Sequence, residues 1–200
     1  MEKNGHISDV LSQLEECGMV SSDEGMNPAS GKAVREKHYR LRDNYTRFFL
    51  KYIEPVRKPI DAGAFAFGSL DELAGWESVL GLAFENLVVN NAAQLIGPLG
   101  IGGAHVISCA PYRRSGKAGD GVQADLLIQT QRAIYVVEAK RRREIGGEII
   151  REMEDRVAKI PKRRGCSIRT AIVYEGSLAP IVEAQGYFDA IVPFRTLLGL

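Results

Sequence analysis

Apolar positions recur first at helical spacing along this chain and later at strand spacing. In "HISDVLSQLEECGMV", Ile7, Val10, Leu11 and Leu14 return every three or four residues, which predicts an amphipathic helix. Ser8 is placed to cap its start and Gly18 to end it in left-handed backbone. Met19 and Val20 begin a short strand, "SSDEGMNPASGK" reads as a polar loop, and "KHYRL" as the returning strand. Asp43 then caps a second helix, "NYTRFFLKYI", which Pro55 is expected to terminate. After a connection over residues 55–72 comes "DELAGWESVLGLAFENLVVNNAAQLI". Here Leu80, Phe84, Leu87 and Val88 are joined by Leu82, Val89 and Ile96, so the helix is apolar on most faces, as buried helices are.

Beyond "GPLGIGG" the period shortens. "AHVISCA", "GVQADLLI", "RAIYVVEA" and "SIRTAIVYEG" read as β-strands, with a last apolar run at "FDAIVPF". Between the third and fourth strands, "GGEIIREMEDRVAKI" carries Ile149, Ile150, Met153, Val157 and Ile160 on one helical stripe. The order β-β-β-α-β-β after a leading helix predicts an α/β fold, a mixed sheet flanked by helices.

Composition narrows the class. With 200 residues, 45% hydrophobic and 26% charged, the chain suits a globular protein of one ordinary or two small domains. No apolar run reaches the roughly 20 residues of a membrane helix, and "MEKNGHISDV" lacks a secretory signal layout. Cys17, Cys109 and Cys166 form no CxxC pair and only three histidines accompany them. A thiolate zinc site is therefore not expected, and a reduced, cytoplasmic setting is. Cys109 and Cys166 fall in or beside apolar strands and read as core residues. The net charge of +1 does not by itself call for nucleic acid, but cations gather at 140–143 and 162–164.

The candidate chemistry lies on the two middle strands. Alternation puts Glu138 and Lys140 on one face with Ile134 and Val136, and Asp125 on one face with Gln123 and Leu127. A two-residue hairpin loop at Gln131-Arg132 sets Asp125 opposite Glu138; a four-residue loop from Gln129 to Arg132 sets it opposite Val136. Both leave the carboxylates on one face, roughly 5 to 8 Å apart. Neither Gln131 nor Arg132 favours the positive φ of a tight primed turn, which argues for the longer loop. Two carboxylates and an ammonium on a sheet face suit a hard divalent cation, Mg²⁺ or Mn²⁺. Lys140 would then serve an attacking water or a phosphate. Glu85, a carboxylate in the otherwise apolar helix, could join them.

The order Glu85, Asp125, Glu138-x-Lys140 in a helix-strand-strand frame resembles the PD-(D/E)XK nuclease superfamily. In addition, "YRLRDNYTRFFLKYIEP", "GLAFENLV" and "VEAK" are similar to the C-terminal part of archaeal-type ATPases with a DUF234 region. The resemblance implies a partial winged-helix segment with its following helix at 1–54 and a connection at 55–69. A restriction-endonuclease-like domain would follow at 70–200. It implies Glu85, Asp125, Glu138 and Lys140 as catalytic residues, with Asp125, Glu138 and Glu85 holding Mg²⁺ or Mn²⁺ for DNA hydrolysis. A P-loop ATPase domain or subunit is the implied partner. No GxxxxGK[ST] occurs, so no ATPase activity is expected of this chain. The implied winged helix starts late, so the chain would be part of a longer ATPase or a separate subunit would complete it. Ala124 replaces the superfamily's usual proline before the aspartate.

Each feature has a plainer alternative. Glu138 and Lys140 could close a strand at the solvent, and the fold could persist as an inactive DNA- or protein-binding module. Arg141, Arg142 and Arg143 could grip phosphates or solvate a turn. Arg113, Arg114 and Lys117, in "PYRRSGKAGDG", could contact nucleic acid or decorate a mobile hairpin tip. Lys162, Arg163 and Arg164 sit where a helix dipole favours cations. Glu148, Glu152 and Arg156 read as surface ion pairing along a helix.

Overall fold

The computed structural model describes residues 3–34, 37–102, 105–116 and 120–199, the side chains of 3–5 excepted. The contact pattern divides the chain into two compact units, residues 1–23 with 37–86, and residues 24–36 with 87–200.

In the first unit, α1 (Lys3–Glu16) begins before Ser8, which lies inside the helix rather than at its cap. The polar turn Lys3–Gly5 carries no apolar periodicity, so sequence pattern could not register it. Gly18, at φ 74°, ends the helix as expected, with Gly18 N–H bonded to Glu15 O at 2.9 Å and Met19 N–H to Leu14 O at 3.0 Å. The strands β1 (Val20–Asp23) and β2 (His38–Leu41) pair antiparallel. Asp43 caps α2 (Asn44–Phe48), its Oδ2 accepting from Thr46 N at 2.6 Å.

Pro55 does not end the helical path. A π-helical turn at Phe49–Ile53 passes into a 3-10 turn at Glu54–Val56, then into α3 (Arg57–Asp61). Proline is tolerated there because a first turn leaves its missing N–H unneeded. The long predicted helix is shorter: α4 spans Trp76–Asn90, with 3-10 turns at Leu70–Glu72 and Ala92–Leu95. Val79, Phe84 and Val88 are buried, but Leu82 and Leu87 are exposed, so α4 is not covered all round.

The second unit holds a five-stranded sheet in the order β3-β4-β5-β6-β7. Its strands are β3 (Val106–Arg114), β4 (Val122–Thr130), β5 (Ala133–Ile145), β6 (Ser167–Leu178) and β7 (Ala190–Pro193). The first three pair antiparallel and the last three parallel, giving the expected mixed sheet. The crossover from β5 to β6 is α5 (Glu148–Lys159), and a five-residue helix, α6 (Pro180–Ala184), precedes β7. α6 is too short for helical periodicity to reveal. The predicted α5 stripe is buried at Ile149, Ile150, Met153 and Ile160, against Leu127, Ile134, Val136 and Ile172 of the sheet. On the opposite face Leu126, Ile128, Val137, Ala171 and Val173 are buried as well. A sheet covered on both faces produces near-continuous apolar runs such as "ADLLI".

The β4–β5 hairpin takes the tighter register. Pairs Gln129↔Ile134 through Leu126↔Val137 leave a two-residue loop, Gln131-Arg132, not the four-residue one. No non-glycine among the described residues has positive φ, so this is no primed turn. The Thr130 hydroxyl closes it instead, accepting from Ala133 N at 3.0 Å and Arg132 N at 3.4 Å. The turn's carbonyls are held from outside. Arg163 Nη2 donates to Thr130 O at 2.8 Å, Cys166 Sγ to Gln131 O at 3.4 Å, and Ser167 N to Arg132 O at 2.9 Å. Arg163 thus has a structural partner beyond the helix dipole. Cys166 is buried as expected, whereas Cys109 is exposed on the edge strand β3.

Candidate metal and ion-pair site

Two β-bulges frame the charged part of the sheet. Against β3, the register of β4 shifts between Ala110↔Leu127 and Tyr112↔Ala124. Three steps on β4 therefore match two on β3, and Ala124 joins Leu127 in the core under α5. Regular alternation would have placed Gln123 there; it is exposed. Asp125 lies in this irregularity, not in the regular phase with Gln123 and Leu127 that alternation predicted. Its Oδ2 accepts the Ala139 N–H at 2.9 Å. A side chain here serves a backbone donor on the neighbouring strand.

The second irregularity is on β5, between Arg142↔Gly176 and Glu144↔Ser177. Arg143 is the extra residue, its carbonyl accepting from Ser177 Oγ at 2.8 Å, and Ile145 returns to the core. Gly176, at φ 114°, faces Arg142 O so closely that a Cβ would lie 1.8 Å from it. Arg141, Arg142 and Arg143 are consequently strand residues rather than part of a solvated turn. Arg113 and Arg114 also belong to a strand, the exposed end of β3, rather than to a mobile tip. The antiparallel pairing brings both basic segments to one end of the sheet. Lys117 lies outside the described residues.

Between the bulges, charges replace apolar residues on the face under α5. Glu138 is 3% exposed. Its Oε1 is 3.4 Å from Lys140 Nζ, and its Oε2 pairs with Arg156 Nη1. Lys140 Nζ lies closer to Glu152 Oε2, at 2.9 Å, and Arg142 Nη1 is 3.4 Å from Glu148 Oε1. Glu148, Glu152 and Arg156 therefore pair across to the strand, not along their own helix. The match is geometric. Four helical residues rise about 6 Å, two strand residues about 6.6 Å, so positions 148, 152 and 156 face 142, 140 and 138 in turn.

Asp125 belongs to the same electrostatic group. Burial pushes its carboxyl pKa above the usual 3.8, against the lowering effects of the Ala139 N–H, Arg156 and Lys140. The structure thus brings Asp125, Glu138 and Lys140 together and adds Arg156 and Glu152. Glu85 lies on α4, in the first of the two compact units. Arg156 and Glu152 were readable only as a charged stripe. Their complementarity to Glu138, Lys140 and Arg142, sign for sign, was the available signal.

For Mg²⁺ or Mn²⁺ the donor chemistry fits: two carboxylates, with waters completing the shell, are an ordinary Mg²⁺ set. Among the described residues no group of three His, Cys, Asp or Glu is arranged to hold a metal. Asp125 and Glu138 are the pair that could, once Glu138 yields an oxygen now facing a cation.

No protein-family model and no curated protein matches the chain. The crystal structure of protein VC1899 from Vibrio cholerae is similar at 14% identity over 96% of this chain, with a TM-score of 0.43. This chain covers 40% of that protein's chain. Among the described residues no helix is long and apolar enough to cross a membrane.

Proposed function

We propose that the second unit is a PD-(D/E)XK-type module that hydrolyses DNA phosphodiester bonds with Mg²⁺ or Mn²⁺ held by Asp125 and Glu138. The observation that carries this reading is the convergence of Asp125, in a β4 bulge, with Glu138 and Lys140 under α5. A bound divalent cation would polarise the phosphoryl group and acidify a water. Asp125, whose Oδ2 accepts the Ala139 N–H, would serve as one ligand. Lys140, tethered between Glu138 and Glu152, would orient the nucleophilic water or steady charge on phosphate. Arg113, Arg114, Arg141, Arg142 and Arg143, at the same sheet end, would contact the backbone of the DNA. A P-loop ATPase partner follows from the sequence resemblance alone.

Supercoiled plasmid incubated with the chain and Mn²⁺ or Mg²⁺ is expected to be nicked. Asp125→Ala and Lys140→Ala should each lose about 100-fold or more in rate. Equal nicking by all three proteins, or none by any, would remove this reading. One observation favours a second reading: both oxygens of Glu138 already face cations. In that case the cluster is a structural ion-pair network and the module binds DNA or protein without cleaving. Retention of DNA on the wild-type protein, unchanged by chelator and without nicking, would support it.

A further inference from the structure

We infer that Arg156 is the resident counter-ion of Glu138 and competes with a divalent cation for that carboxylate. The inference deepens the metal-dependent reading above and rests on it.

A carboxylate as buried as Glu138 requires a positive neighbour. Arg156 supplies it from α5, and Lys140 from β5. These two differ in what happens when a metal arrives. Lys140 has a second and nearer carboxylate, Glu152 Oε2 at 2.9 Å, and remains paired if it releases Glu138. Arg156 holds Oε2 itself, and a divalent cation on that oxygen would face a guanidinium at contact distance, which like charge forbids. One must leave. Glu138 is fixed in the sheet, whereas the Arg156 side chain is 20% exposed and sits on a helix surface, so it can swing to water. The groups that act on it are Glu138 from β5, its ion-pair partner, and Asp125 from β4, whose charge it influences. A metal bound at Glu138 Oε2 is thus gained at the expense of Arg156. Arg156 is a positioning residue here. In the metal-free protein it holds the Glu138 carboxylate in place, and it lowers the affinity for metal by occupying the ligand.

Calorimetric titration of the purified chain with Mn²⁺ alone, together with its thermal stabilisation by Mn²⁺, tests this directly. Arg156→Gln should bind Mn²⁺ roughly tenfold more tightly than wild type. Arg156→Lys, which keeps a cation on α5 but loses the guanidinium fork, should fall between them. If neither variant binds more tightly than wild type, while wild-type binding is still lost in Asp125→Ala, the competition is overturned and the metal site stands. Absence of Mn²⁺ binding in wild type and both variants overturns the competition and the metal-dependent reading together.

Discussion

Asp125 carries a charge in a place that penalises it. Its raised pKa means that the folded chain binds more protons than the unfolded chain between the usual 3.8 and the higher folded value. Its contribution to stability is therefore intact below 3.8 and is lost as pH rises through the folded value. Asp125→Asn keeps an oxygen for the Ala139 N–H and removes the ionisation. In chelator, the variant should be more stable than wild type at neutral pH, and the advantage should disappear towards pH 3. Denaturant unfolding at a series of pH values checks this, and a pH-independent difference between the proteins would contradict it. Gly176 is constrained at the same scale. A methyl group there would overlap Arg142 O and require φ near 114°, so Gly176→Ala should cost at least about 2 kcal/mol in urea unfolding. A cost near zero would mean the bulge at Arg143 is not fixed by this contact.

At the scale of elements, the hairpin and the α5 crossover are coupled. The β4–β5 turn contains no residue suited to positive φ, yet it is two residues long, because Thr130 caps it and Arg163, Cys166 and Ser167 bind its carbonyls. Thr130→Val preserves shape and removes the hydroxyl, leaving the Arg132 and Ala133 amides without that acceptor. A loss of about 1–3 kcal/mol is expected, with no change in Mn²⁺ binding if the register survives. A variant as stable as wild type would show that the external bonds alone hold the turn. The same crossover sets α5 against β5 so that three oppositely charged pairs coincide. Exposed members such as Arg142–Glu148 contribute little. The pair at Glu138 matters more because its carboxylate cannot reach water.

For the molecule as a whole, the two units were differently legible. Strong periodicity revealed β3 to β7 and α5, because a sheet covered on both faces demands long apolar runs and one helix stripe must meet it. The first unit was read less well, since its short helices follow one another through π and 3-10 turns that leave no single period. Glu85, a carboxylate conspicuous in an apolar helix, falls in the first unit, and Asp125, Glu138 and Lys140 in the second.

The sequence by itself determined the mixed sheet with its crossover helix and the presence of Asp125, Glu138 and Lys140 on adjoining strands. Those follow from local periodicity and alternation. Only the tertiary structure decided the phase. Two bulges reset the alternation at Asp125 and Arg143, and a threonine hydroxyl with three distant donors selected the short turn. Bulges and such turns depend on partners from other segments of the chain, 33 residues away in the case of Arg163. For the same reason Arg156 emerged as a partner of Glu138 only when α5 was laid along β5.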